Sequence, residues 1–116
     1  MPPFSTKGIP WQEPPGHHGG FSKYLVGHEE HGSNLDFRVS RYPIRGRVDS
    51  HVHEVAEHVY YFLEGTGLAT YDHQEYVVEP GMVMHVPPKT EHSVVSTGDV
   101  DLVFIVVTSP ASDIPR

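Results

Sequence analysis

Several histidines and one glutamate stand at spacings that suit a metal site. His51 and His53 are two positions apart, so on a β-strand their side chains point to the same face. Glu57 and His58 begin a run rich in aromatic and β-branched residues, which predicts a second strand that turns at Gly65. We expect a hairpin that brings the His-x-His pair together with one of Glu57 or His58. Neutral imidazoles and carboxylates are the ligands that divalent first-row metals take, so this segment indicates a metal site.

A further histidine, His92, follows a separate turn-rich segment. It begins another predicted strand after Pro87 and Pro88, and it adds a candidate fourth ligand. The chain contains ten histidines, so a single His-x-His pair on a surface strand is also expected by chance. The third donor at hairpin distance and His92 together favour metal binding over that alternative.

The two histidine segments resemble the two sequence motifs of the cupin superfamily. The first motif has Gly, His-x-His, a Glu three or four residues later, and a Gly six residues after the Glu. The second has Gly, five residues, Pro-x-Gly, two residues and His. The residues that match in order are Gly46, His51, His53, Gly65, Gly81, Pro87 and His92. The resemblance covers about residues 35–108 and implies an all-β fold, a single double-sheet jelly-roll barrel.

The chain departs from the family pattern at two positions near the expected site. Lys89 stands where the family usually has Gly. Counting back six residues from Gly65 puts His58 at the position of the family's Glu, whereas Glu57 keeps the shorter spacing from the His-x-His pair. The resemblance therefore implies a metal site made of His51, His53, His58 and His92, with Glu57 as the alternative to His58.

Composition excludes several classes of protein. At 116 residues the chain is expected to form one domain, and it contains no cysteine for a disulfide or a thiolate ligand. The formal net charge is −7 without any extended basic stretch, which argues against binding to nucleic acid. No apolar run approaches membrane-spanning length, and residues 1–5 lack the features of a signal peptide. We expect a soluble, cytoplasmic protein without a membrane or nucleic-acid partner.

The chain divides into three segments. Residues 1–34 are rich in proline and predict an arm with one edge strand at residues 21–26, residues 35–108 form the barrel, and residues 109–116 form a tail. In cupins such an arm often pairs with the sheet of a partner subunit, and Trp11 and Phe21 suit anchors for it. The resemblance therefore implies a homodimer. His17 and His18 are expected at the surface.

Residues 35–42 alternate apolar and polar side chains, which predicts a half-buried strand. The apolar face carries Leu35, Phe37 and Val39, and Arg38 lies on the opposite face. An arginine at the barrel mouth would suit a carboxylate or enolate substrate. Exposure to solvent is the alternative for each of the four arginines in this part of the chain, which are Arg38, Arg41, Arg45 and Arg47.

Tyr60 and His85 are the candidate residues for proton transfer. If His58 faces the interior, Tyr60 does so too, because the two positions have the same parity on one strand. His85 has the parity of Val83 on its own predicted strand, and we expect it to point inward as a pocket residue.

Three classes of function fit a cupin with this ligand set. The resemblance implies first an oxidoreductase, a dioxygenase that acts on a small enolisable or phenolic acid with iron(II) or manganese(II); zinc or nickel also fits imidazole ligands. Uncharged ligands leave the charge of the ion uncompensated and favour an anionic substrate. The alternatives are a metal-dependent lyase, isomerase or decarboxylase, and a cupin that binds a small molecule without catalysis.

Overall fold

Two five-stranded antiparallel sheets face each other in the computed structural model, which describes residues 1–115. The first sheet has the strand order β1-β4-β9-β6-β7, and the second has the order β2-β3-β10-β5-β8. The strands are β1 (His17–His18), β2 (Phe21–Val26), β3 (Asp36–Tyr42), β4 (Arg47–His51), β5 (Glu57–Glu64), β6 (Gly67–Tyr71), β7 (Gln74–Val78), β8 (Val83–Val86), β9 (His92–Ser96) and β10 (Leu102–Ser109). This is the all-β jelly-roll barrel that the resemblance to the cupin superfamily implied.

The core lies between the two sheets and is built on β10, which pairs with β3 on one side and β5 on the other. Phe104 on β10 is fully buried, and its ring packs edge-on against Tyr42 and at a tilt against Phe62. The first sheet contributes Ala69 and Val94, which are also buried. The near-continuous apolar sequence of β10 therefore places it at the centre of its sheet, as expected for a strand that is covered on both sides.

Strand β3 turns its polar face toward the interior. Asp36, Arg38 and Ser40 are buried, whereas Phe37 and Val39 are only half-buried on the outer surface of the sheet. Of the two possibilities for Arg38, exposure to solvent is therefore wrong. The reason is that each polar group has a partner inside: Arg38 pairs with Asp36, and the hydroxyl of Ser40 hydrogen-bonds that of Ser22 at 2.8 Å.

The N-terminal arm forms more structure than the single edge strand that was expected. It contributes an edge strand to each sheet, β1 to the first and β2 to the second, followed by a short helix, α1 (His28–His31). Trp11 lies against Lys23 and Arg41 of the same chain, with the two cations 5.2 and 5.3 Å from the ring centroid. The arm is therefore packed on its own sheet.

The expected tail also has a defined position. After β10 it forms a 3-10 helix (Ala111–Asp113), in which Ala111 is buried and donates its backbone N–H to the Asn34 carbonyl oxygen. Arg116, the last residue of the expected tail, lies outside the described residues. No helix in residues 1–115 is long and apolar enough to cross a membrane. The cellular location stays a prediction.

Candidate metal centre

Four histidines converge at one end of the barrel, three from strands and one from the connection between two of those strands. His51 ends β4 and faces His92, its cross-strand partner at the start of β9 in the same sheet. His58 lies on β5 in the opposite sheet, and His53 lies in the connection between β4 and β5. The expected hairpin is therefore wrong: β4 ends at His51 because residues 52–56 cross from one sheet to the other.

The geometry of the cluster suits a single ion. Each of the four histidines offers one ring nitrogen, and these four atoms all lie within 4.8 Å of one another. The ring centroids of His51 and His92 are 4.1 Å apart, and those of His53 and His58 are 4.6 Å apart. An ion bound at about 2.1 Å from each nitrogen needs donors separated by about 3–4 Å, which this cluster approaches.

Hydrogen bonds to the outer ring nitrogens set the orientation of the imidazoles. The Nδ1 atom of His51 donates to the Asp49 carbonyl oxygen at 2.6 Å, and that of His92 donates to the Thr90 carbonyl oxygen at 3.0 Å. Carbonyl partners of this kind leave the Nε2 lone pair free for a metal. The Nδ1 atom of His58 lies 2.7 Å from the hydroxyl of the buried Thr108.

Two inner nitrogens have no other partner. The Nε2 atoms of His58 and His92 are buried and make no hydrogen bond with any residue in the described range 1–115. Because an unsatisfied buried polar atom is costly, such a pair requires an explanation. A divalent metal bound between the four rings would provide one, and the residues therefore fit the metal site that the sequence predicted. The donor set leaves the choice of metal open.

Burial keeps the four imidazoles neutral, which is the state that binds a metal. Burial, assisted by the neighbouring His92, lowers the pKa of His58 from 6.5 to about 2. Burial and the nearby His51 lower the pKa of His92 to about 4. The pKa values of His51 and His53 are also lowered, mainly by burial. Each imidazole is thus uncharged at neutral pH and keeps a single ring N–H, so its other nitrogen has a lone pair for a cation.

Glu57 and His85 lie on the outside of the barrel. Their side chains are more than half exposed, and the Nε2 atom of His85 contacts the Glu57 carboxylate at 2.9 Å. The expectation that His85 points inward is therefore wrong, because β8 pairs with β5 in a register that puts His85 beside the outward-facing Val59. Glu57 also faces away from the cluster, and His58 takes the interior position.

A cavity of about 430 Å³ opens beside the cluster. Three of the four histidines line it, together with Tyr60 and Arg38. The guanidinium of Arg38 is held by Asp36, with Nε 2.6 Å from one carboxylate oxygen, and it lies over the Tyr24 ring at 4.7 Å from its centroid. Arg38 lines the cavity and Asp36 does not. The cavity therefore borders the guanidinium, which is the hydrogen-bond donor of this ion pair. Arg41, Arg45 and Arg47 are exposed at the surface.

The sequence did not single out four residues near the site. His17 lines the cavity instead of facing solvent, and its Nδ1 atom donates to the Pro15 carbonyl oxygen at 2.9 Å. Thr108 has the inward parity of Phe104 on β10, and this period-two signal was available in the sequence. For His17, for Ser22 and for Asp113, discussed below, no local pattern marks the position.

Comparison with known proteins relates most of the chain to one family. The family model described as "Cupin domain" matches residues 38–108. A curated relative, an uncharacterized protein of Methanocaldococcus jannaschii, is 35% identical over 68 residues, which cover 59% of this chain and 54% of the relative. The chain thus spans about half the length of that relative.

Solved structures share the fold at low sequence identity. A protein of Thermotoga maritima described as a predicted oxalate decarboxylase has a TM-score of 0.83 at 23% identity, covering 91% of this chain and 96% of that one. The polyketide cyclase RemF of Streptomyces resistomycificus has a TM-score of 0.80 at 21% identity, with coverage of 94% and 79%. A sugar phosphate isomerase of Silicibacter pomeroyi has a TM-score of 0.81 at 18% identity, with coverage of 93% and 75%.

Proposed function

Because this chain belongs to the cupin family, we propose that it is a metal-dependent oxidoreductase, a dioxygenase that acts on a small enolisable or phenolic acid. The observation that carries the proposal is the cluster of four neutral imidazoles with two unpartnered, buried Nε2 atoms. The residues that would hold the ion are His51, His53, His58 and His92. Iron(II) or manganese(II) bound there would supply an electrophilic centre that attracts anionic oxygen donors and exchanges electrons with dioxygen.

The character of the ligands supports an anionic substrate. Imidazoles contribute no negative charge, so the chain itself does not neutralise a divalent cation at this site. Arg38 adds a second source of positive potential on the cavity wall. A cavity of about 430 Å³ suits a small acid, with its carboxylate on the donor side of Arg38 and its enolate or phenolate oxygen toward the histidines.

The other cavity walls would hold the substrate and exclude water. Phe104 and Val106 on β10 and Val48 on β4 provide apolar surface beside the histidines. Burial raises the pKa of Tyr60 well above its usual value, so its hydroxyl stays protonated and available as a hydrogen-bond donor. A largely apolar pocket with a few oriented polar groups is typical of sites for small molecules.

A lyase, isomerase or decarboxylase is the second candidate, and His17 is the observation that favours it. Burial lowers the pKa of His17, and its Nδ1 atom is already bonded to Pro15, so the neutral ring presents Nε2 as a proton acceptor. Reactions of this class need such an acceptor beside the substrate. The solved structures with a similar fold include a predicted decarboxylase, a cyclase and an isomerase, which is consistent with this alternative but rests on the fold alone.

Metal analysis and an oxygen electrode test the proposal. Freshly purified protein would be analysed for metal, loaded with iron(II) or manganese(II), and mixed with diketones, 2-oxo acids, catechols and hydroxybenzoates. We expect oxygen uptake with one of these acids. Consumption of a substrate at the same rate without oxygen would replace the dioxygenase with the lyase or isomerase. Tight metal and ligand binding without turnover of any substrate would instead indicate a binding protein.

A further inference from the structure

The C-terminal segment, residues 109–115, lies against the metal centre although it follows the part of the chain that matches the family model. One oxygen of the Asp113 carboxylate accepts hydrogen bonds from two successive backbone N–H groups, those of Val55 at 3.2 Å and Ala56 at 2.8 Å. These amides belong to the connection between β4 and β5, which also carries His53. Ala56 is almost completely buried, so its amide has little access to water as an alternative partner.

Asp113 also faces the His53 ring itself. Its carboxylate is among the charged groups that act on the His53 imidazole. On the other side of the connection, the Lys89 backbone N–H donates to the His53 carbonyl oxygen at 2.7 Å. His53 is therefore held between the segment that precedes His92 and the C-terminal segment.

Each of the four histidines is held in place by a group outside its own ring, and for His53 that group is Asp113. His51, His92 and His58 each have an outer nitrogen bonded to a strand residue or to a residue beside a strand. His53 is the one ligand candidate of the four that lies outside a strand, so no cross-strand ladder fixes its position. The group that takes this role is Asp113, sixty positions further along the chain.

The same segment forms part of the cavity wall. Ile114 and Pro115 line the cavity, and the Pro115 carbonyl oxygen accepts a hydrogen bond from Nη2 of Arg38 at 3.4 Å. The segment thus contacts both the metal ligand and the arginine assigned to the substrate.

We infer that Asp113 is a positioning residue for His53, and that docking of residues 109–115 completes the metal site. This inference rests on the proposed metal-binding function. Ligands are oriented by the groups that hold their outer nitrogens and their backbone, and loss of such a group lowers metal affinity by about 10- to 100-fold. Asp113 acts through His53 and makes no contact with the reacting atoms.

The test compares three variants of the full chain: Asp113→Ala, Asp113→Asn and, as a control, Asp99→Asn. Asp99 is an exposed carboxylate in the turn before β10, at the far end of that strand. Manganese(II) affinity would be measured from the electron paramagnetic resonance signal of the free ion. We expect Asp113→Ala to weaken binding about 10- to 100-fold. Asp113→Asn should weaken it less, because the amide oxygen still accepts N–H bonds, and Asp99→Asn should leave it unchanged.

A second readout uses the metal-free protein, so that it does not depend on the proposed function. In both Asp113 variants we expect faster amide hydrogen exchange at Val55 and Ala56 and a shifted imidazole nitrogen signal for His53, with the His92 signal unchanged. Changes confined to these positions would separate a positioning role from a general loss of stability. If Asp113→Ala does not fold, the same measurements on Asp113→Asn test the inference.

The outcomes distinguish the inference from the function on which it rests. If the unaltered protein binds manganese(II) and the Asp113 variants bind it equally well, the inference is overturned and the metal site stands. If the unaltered protein binds no metal, the proposed function fails, and unchanged exchange and His53 signals in the variants would overturn the inference as well.

Discussion

At the scale of single residues, the site depends on the opposite directions of two neighbours, Glu57 and His58. They are adjacent on β5, so one side chain enters the barrel and the other faces solvent. The buried imidazole has its outer nitrogen on Thr108 and its inner nitrogen among the other rings, while Glu57 contacts only His85 among the contacts resolved for its side chain. The pair is therefore a matched set for testing the ligand assignment.

We expect His58→Ala to lose most of the bound metal and Glu57→Ala to retain it. Removal of His58 takes away one of four donors, whereas removal of Glu57 affects only an exposed contact with His85 of small energetic value. Metal content after dialysis, measured side by side for the two variants, checks this. Loss of metal in Glu57→Ala and not in His58→Ala would assign the glutamate as the ligand.

Arg38 and Asp36 form an ion pair that is almost fully buried. Removal of one partner of such a pair leaves the other charge in a place of low polarity, which costs about 3–5 kcal/mol. We expect Arg38→Gln alone to lower the free energy of unfolding by that order. The double variant Asp36→Asn with Arg38→Gln should recover most of the loss, because both charges are removed together. Urea unfolding measures both values, and equal losses in the single and double variants would contradict the coupling.

At the scale of secondary-structure elements, the turn after β5 requires a glycine, Gly65. Gly65 has a φ of 76°, and a Cβ atom added there would lie 2.4 Å from the Asp101 backbone oxygen. Gly32, after α1, has a similar φ of 63° but open space around it. The two glycines share the conformational requirement, and Gly65 alone has the steric one.

We therefore expect Gly32→Ala to cost about 1 kcal/mol of stability, the usual penalty for a left-handed conformation. Gly65→Ala should cost about 2 kcal/mol or more, because the backbone at the start of β10 must also move. Thermal or urea unfolding of both variants provides the comparison. If both substitutions lower the free energy of unfolding equally, the close contact with Asp101 has no energetic effect of its own, which would contradict the prediction.

At the scale of the whole molecule, the buried histidines link folding to pH. In the unfolded chain His58 and His92 bind protons below about pH 6.5, whereas in the folded, metal-free protein their pKa values are about 2 and about 4. The unfolded state therefore binds more protons between these limits, and stability falls as the pH is lowered from about 6.5.

We expect the metal-free protein to lose up to about 1.4 kcal/mol per pH unit for each of the two histidines between about pH 6.5 and about pH 4. Urea unfolding in the presence of a chelator, at several pH values, gives the slope. His58→Gln should reduce it by about half. A stability that does not change over this range would show that the imidazoles are protonated as easily in the folded protein as in the unfolded chain.

The predicted homodimer has a candidate contact surface on the outer face of the second sheet. Val39, Ile105, Tyr61 and Val83 form a continuous cross-strand row, in which Tyr61 is 44% and Val83 is 63% exposed. Arg41 lies toward one end of this face and Glu57 toward the other. A second copy, turned about a two-fold axis that runs across the strands, would place unlike charges together and cover the apolar row.

We expect light scattering at micromolar concentration to give the mass of a dimer. Val83→Glu should shift it toward the monomer, because the change puts a charge in the apolar row. Val100→Glu, at a similarly exposed valine in the turn before β10, is the matched control and should leave the mass unchanged. A monomer mass for the unaltered chain would contradict the homodimer.

What the sequence by itself determined is local. Period-two alternation predicted strands and grouped His58 with Tyr60 on one face, and the resemblance of the two histidine segments to the cupin motifs implied the barrel and the four converging imidazoles. Alternation states which side chains share a face. It does not state which face is inside, because that depends on the opposing sheet and on partners brought in from distant segments.

The tertiary structure decided the remaining features for this reason. It turned the polar face of β3 inward, since Arg38 finds Asp36 there, and it turned His85 outward through the pairing of β8 with β5. It also brought His17 to the cavity and Asp113 to the connection that carries His53. Contacts between residues so far apart in the chain leave no periodic or spacing signal, because only the closure of the two sheets brings those segments within hydrogen-bonding distance.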